Sequence, residues 1–212
     1  MLTEKQINKL KNREFRHMTM TARTSTKEDD ESYIVEGYAT TFNQPYTLYE
    51  GRYYKVEEQI SSTAFDQCDM QDVIMQYDHE GRVYARNRNK TLELSVDNKG
   101  LFIRANLGGT DEGKKLYQEI KGGYTDKMSF AFVVAEDERV YKEDLENDFE
   151  TCIRTITKIS KIYDVSAVSI PANDMTSISA RNFSDGVIAE IETERSKRAK
   201  KKLELKIKLM EE

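Results

Sequence analysis

The chain has 212 residues and only two histidines, so any histidine-dependent chemistry is quickly located. His79 follows the strand-like run Asp72-Val73-Ile74-Met75-Gln76-Tyr77 and stands beside the turn residue Gly81. Ser129 is set into the apolar run Lys127-Met128-Ser129-Phe130-Ala131-Phe132-Val133-Val134. Met128, Phe130, Phe132 and Val134 share one parity there, and Ser129, Ala131 and Val133 the other, the period-two pattern of a strand. Small Ala131 on the serine's own face leaves room for a reactant at the hydroxyl. Asp164 lies in a third such run, Ile162-Tyr163-Asp164-Val165-Ser166-Ala167-Val168-Ser169-Ile170. A serine hydroxyl is a weak nucleophile that needs a base within about 2.6–3.2 Å. An imidazole titrates near pH ~6.5, so its neutral form is available as that base. A carboxylate behind the other ring nitrogen fixes the tautomer and stabilises the imidazolium. Ser129, His79 and Asp164 can therefore serve as nucleophile, base and orienter.

Each residue also has a plainer reading. Ser129 could be an ordinary strand serine, His79 a strand-end histidine and Asp164 a turn or salt-bridge acid. Asp78 and Glu80 flank His79 and are acids too, but chain neighbours rarely point at the same ring. The other histidine, His17, reads as a solvated surface residue. Cys68 and Cys152 have no histidine close in sequence and read as buried inert thiols.

Composition narrows the classes. Charged residues make up 33% of the chain and the formal charge is −5, which argues against a general polyanion binder. No apolar run is long enough to span a bilayer, and the charged start lacks the apolar stretch of a signal peptide. Two distant cysteines and two scattered histidines give no zinc spacing, so neither a metal nor a cofactor is implied. A reduced intracellular protein is the expectation.

The elements that must hold these residues follow in order. Residues 1–20 read as a polar helix and 21–32 as a linker. Strand-like runs then occur at Tyr33–Ala39 and Tyr53–Glu58, with a short helix expected from Ser61 or Ser62 through Cys68. Thr91–Val96 and Leu101–Leu107 form a hairpin around Asp97-Asn98-Lys99-Gly100, with Gly100 expected in the left-handed region. A helix capped by Thr110 or Asp111 runs to Lys121 and is stopped by Gly122-Gly123. Lys142–Glu150 reads as a solvated acidic loop, and Thr151–Ile159 and Ile162–Ile170 as two strands. Val187–Glu212 reads as a helix. Its basic run Arg195–Lys202 is either a docking signal or a solvated face. The fold class is mainly β with flanking α: a small curled sheet or β-barrel surrounded by helices, with a helical C-terminal tail. Segments 1–32, 33–183 and 184–212 are the expected divisions.

Several segments, in order, resemble the prohead proteases of tailed bacteriophages, relatives of the herpesvirus assemblin proteases. Val35-Glu36-Gly37-Tyr38-Ala39 with Phe42-Asn43 is similar to the family's "GYA…FN" strand. Glu58-Gln59-Ile60 with Ala64-Phe65 is similar to "E.I…AF". Val73–His79 resembles the strand ending in the catalytic histidine, and Arg82–Arg86 the "LGR" stretch. Asn98-Lys99-Gly100-Leu101 matches the "GL" turn. Met128-Ser129-Phe130-Ala131-Phe132 resembles the serine motif "MSFGF", with Ala131 in place of glycine. Asp164-Val165-Ser166 with Pro171-Ala172-Asn173 resembles "EVS…PAN", with aspartate for glutamate.

The resemblance covers about residues 33–182 and implies an assemblin-like serine endopeptidase that matures the phage procapsid. Ser129 would attack, His79 would carry the proton and Asp164 would hold His79. The turn after the third residue supplies oxyanion donors in the assemblin relatives, which points to Ala172 and Asn173 here. The expected substrates are the major capsid protein and scaffold, and the chain itself by autoproteolysis. The expected setting is the assembling procapsid in the host cytoplasm, without membrane or nucleic acid. A homodimer follows by analogy with assemblin. The rival readings are a catalytically silent assembly or scaffolding factor on the same fold, and an unrelated β-rich binding module.

Overall fold

The computed structural model describes residues 13–19, 23–24, 33–169 and 178–211. It is mainly β, with two α-helices among the described residues. The strands are β1 (Glu14–Thr19), β2 (Arg23–Thr24), β3 (Ile34–Thr41), β4 (Tyr46–Glu50), β5 (Tyr54–Ile60), β6 (Ile74–Tyr77), β7 (Glu80–Arg86), β8 (Leu92–Val96), β9 (Gly100–Asn106), β10 (Lys127–Asp144) and β11 (Phe149–Val168). Helix α1 spans Asp111–Lys121 and α2 spans Ile178–Glu211. One sheet runs in the order β1-β10-β11-β5-β4, with the β6–β7 hairpin also joined to β11. The second runs β2-β3-β9-β8. Neither sheet closes, so the curled sheet, not the barrel, is the architecture observed.

The β10–β11 hairpin is the spine. Its register slips between Ala131 and Phe132 and again between Val133 and Asp137, and such bulges bend and twist a strand pair. β11 uses one edge for two partners. Residues 150–156 pair in parallel with β5, and residues 164–167 pair in parallel with β6. Between these stretches Asp69 bridges to β11, donating its N–H to the Ser160 carbonyl at 2.9 Å and accepting from the Ile162 N–H at 3.1 Å. The main core gathers Val35, Ile60, Met75, Leu101, Ile103, Phe130, Phe132, Ile156, Ile162 and Val165, all fully buried. Phe130 and Phe132 stack at 4.5 Å between ring centroids.

Helix α1 forms as its sequence directs. The Thr110 hydroxyl accepts from the Gly113 N–H at 3.0 Å, Leu116, Tyr117 and Ile120 face the core, and Gly123 at φ +74° turns the chain away. Helix α2 docks on the β10–β11 hairpin, with Arg198 and Lys202 reaching Glu150 at 2.8 Å and Glu143 at 2.6 Å. Ile191 is buried with Tyr54, Val56 and Cys152, and Arg139 on β10 reaches Glu190 at 3.0 Å and Glu194 at 2.9 Å. No described helix is long and apolar enough to cross a membrane.

Five expectations change. Residues 14–19, expected to be helical, are a strand, because β10 offers them an edge that local sequence cannot reveal. Residues 61–68 form successive turns rather than a helix, with Ala64, Asp66 and Cys68 each bonding back three residues. The two expected strands after residue 150 are one, since Ser160 and Lys161 mark only the change of partner along β11. The acidic loop shrinks to residues 145–148, its flanks having joined the hairpin. Gly100 is not left-handed; it is required by closeness, because a Cβ there would lie 2.0 Å from the Thr40 carbonyl oxygen. The Asp97 carboxylate closes that turn by accepting from the N–H groups of Lys99 at 2.8 Å and Gly100 at 3.0 Å.

Candidate active site

Ladder register decides which side chains can meet. Ser129 is the partner of Ser166 and Ala131 the partner of Asp164, so all four share one face of the β10–β11 pair. β6 runs parallel beside β11 and ends at Tyr77, which brings the β6–β7 turn over that face. Tyr77 pairs with Glu80, leaving Asp78 and His79 as the two central turn residues, with φ +49° and +61°. Positive φ at both is the requirement of a type I′ hairpin turn. For residues other than glycine this costs roughly 1–2 kcal/mol each. Asp78 repays part of that cost by anchoring the turn to the end of β11. Its N–H donates to the Ala167 carbonyl at 2.9 Å, and its carboxylate accepts from the Ser169 N–H at 2.9 Å and hydroxyl at 2.8 Å. Asp78 is thus a clamp for the turn that carries His79.

The structure brings Ser129, His79 and Asp164 together. His79 Nε2 lies 2.6 Å from Ser129 Oγ, and Nδ1 lies 2.5 Å from Asp164 Oδ1. Asp164 is shorter than the glutamate of the resembling motif, yet its own strand carries it within reach of the ring. Two further groups enter that the sequence reading did not weigh. The Ser166 hydroxyl, fully buried, donates to Asp164 Oδ1 at 2.7 Å. The main-chain carbonyl of Arg16 on β1 accepts from the Ser129 hydroxyl at 3.1 Å. Ser166 was findable: it stands two residues from Asp164 on a strand, hence on the same face. A backbone carbonyl carries no sequence signal at all. Ser129 itself is 0% exposed.

His17, expected to be a solvated helix residue, belongs to β1 and is the ladder partner of Ser129. Ala172 and Asn173 lie outside the described residues. Burial pushes the Cys68 thiol up to about 12 and raises that of Cys152, which keeps both un-ionised at neutral pH.

Across the sheet from the serine lies a buried network of ions. Glu58 on β5 accepts from Arg16, with Nη2 at 2.9 Å, and from Arg154 on β11 at 2.6 Å; Tyr46 donates to the same carboxylate. Arg154 also reaches Glu14 at 2.7 Å and Asp137 at 2.7 Å. Burial alone would raise the Glu58 pKa. The Arg16 and Arg154 charges and the hydrogen bonds from Arg16 and Tyr46 outweigh it and lower the group to about 2.

An open curled sheet carrying a serine, a histidine and a carboxylate in hydrogen-bond sequence has the form of a serine hydrolase site. The family profile of the caudovirus prohead serine proteases matches residues 19–188, most of the chain, which therefore belongs to that family. Among solved structures, the capsid assembly protease of bacteriophage T4 aligns at 10% identity with a TM-score of 0.38, over 75% of this chain and 99% of that one. No curated protein matches the chain in sequence.

Proposed function

We propose that the chain is a serine endopeptidase of the Ser-His-Asp type that matures the phage procapsid. The observation that carries this reading is the pair of contacts made by one imidazole, 2.6 Å to a hydroxyl and 2.5 Å to a carboxylate. With Nδ1–H donating to Asp164, Nε2 presents its lone pair to the Ser129 hydroxyl and accepts that proton as the oxygen attacks a scissile carbonyl. The imidazolium then gives that proton to the leaving amine, and an acyl-serine remains for water to hydrolyse. Developing negative charge on the substrate oxygen needs fixed donors. The N–H groups of Ala172 and Asn173 are our candidates, by the family's pattern. The substrates proposed are the major capsid protein with its scaffold, and the chain's own termini, inside the assembling procapsid in the host cytoplasm. The protease unit is proposed as residues 33–183, and a homodimer as the working form.

The test is incubation of the purified chain with its capsid protein under assembly conditions, beside Ser129→Ala. Cleavage at defined bonds that disappears in the variant is expected. Intact capsid protein in every condition would instead support a silent assembly factor on the same fold.

A further inference from the structure

The nucleophile proposed above has no access to a substrate in this structure, and what lies against it is main chain. Ser129 is fully buried, and its hydroxyl meets the Arg16 carbonyl oxygen at 3.1 Å. A serine hydroxyl has one proton. When it donates to Arg16, it cannot donate to His79 Nε2, so this carbonyl competes directly with the base for the proton the reaction must move. A scissile carbonyl would have to occupy the same space.

We infer that the β1-facing edge of β10, residues Lys127–Phe132, is the docking edge for an extended substrate peptide, and that β1 fills it as an intramolecular occupant. The inference rests on the reading of Ser129 as nucleophile. Two observations carry it further. Among the described residues β1 pairs with β10 alone and lies at the margin of the sheet, so its departure opens no interior ladder. Departure would expose, along a six-residue stretch beside the serine, the backbone donors and acceptors of alternate residues, which is the template that an extended chain adds to as a strand.

β1 is held by more than its ladder. Arg16 binds Glu58 and Glu14 binds Arg154, the latter at 2.7 and 3.0 Å. This latch is built so that it can open. When Arg16 leaves, Glu58 keeps Arg154 at 2.6 Å and the Tyr46 hydroxyl, so no buried carboxylate is stranded.

The experiment staples β1 in the full-length chain. Thr19 and Lys127 are antiparallel ladder partners. Such partners have Cα atoms about 4.5–5.5 Å apart, within disulfide reach. In the double variant Thr19→Cys, Lys127→Cys, a small serine-reactive fluorophosphonate should label Ser129 at least tenfold more slowly when oxidised than after dithiothreitol, while the wild-type rate ignores the reductant. Arg16→Ala, which releases one side of the latch, should label faster than wild type. Equal labelling of oxidised and reduced forms would overturn the blocked-edge inference and leave the nucleophile intact. Absence of labelling in wild type and in every reduced form would remove the nucleophile reading, and the inference with it.

Discussion

Asp164 Oδ1 receives two hydrogens, one from the ring and one from Ser166. The two donors do different work, and mutation should separate them. Asp164→Asn should lower kcat by about 10⁴, the loss expected when the ring is held in the wrong tautomer. Ser166→Ala removes a neutral donor worth about 1 kcal/mol and leaves the carboxylate in place, so kcat should fall only about fivefold with KM little changed. Steady-state kinetics on a capsid-derived peptide check both; a Ser166→Ala loss as large as that of Asp164→Asn would mean that the hydroxyl holds the fold, not the acid. The serine, histidine and aspartate were legible in the sequence because each required residue type sits in or beside a separate strand-like run and the family-like motifs fall on the same three positions. Ser166 and Arg16 were not, because one acts through another side chain and the other through its main chain.

Elements whose signals are local were readable. Helix α1 has a capping threonine, an apolar face and a glycine stop within fourteen residues of one another, and the β8–β9 hairpin has its aspartate-to-glycine turn. β1 was unreadable because its conformation is set by β10, more than a hundred residues away. The charges of Glu14 and Arg16 are explained only when Arg154 and Glu58 appear opposite. β5 and β11 meet β1 through that charge cluster, and acid should weaken it. Glu58 sits at about 2 in the fold against the usual 4.5. A depressed carboxylate stabilises fully above its unfolded value, and that share is lost as pH falls from about 4.5 towards 2. Glu58→Gln should therefore cost about 3–5 kcal/mol near neutrality, the range for breaking a buried ion pair. Urea titrations at several pH values should show the gap to wild type narrowing as the solution is acidified below 4; a constant gap would mean that the carboxylate charge is not what the arginines bind.

At the scale of the molecule, one strand ties the distant parts together. β11 carries Asp164 and Ser166 towards one end and Arg154 and Cys152 towards the other, so it touches the face that carries Ser129, the charge network and the seat of α2. Arg154 meets Asp137, and Asp137 accepts from Arg139 at 3.2 Å, whose other nitrogens hold Glu190 and Glu194 on α2. The mostly β architecture was visible from alternation alone, but this convergence was not, since it depends on which strands share an edge. The last turns of α2, beyond Lys202, have a different fate. Leu203, Leu205, Ile207 and Leu209 are 48–73% exposed, and Met210 is 87% exposed. In sequence they alternate with charges, a spacing that on a rod of 3.6 residues per turn scatters them around its circumference. No single groove can hide them all at once. Purified protein should accordingly clump as its concentration rises, and a chain ending at Lys202 should stay monodisperse in light scattering, so the greasy tip is a handling problem as well as a clue.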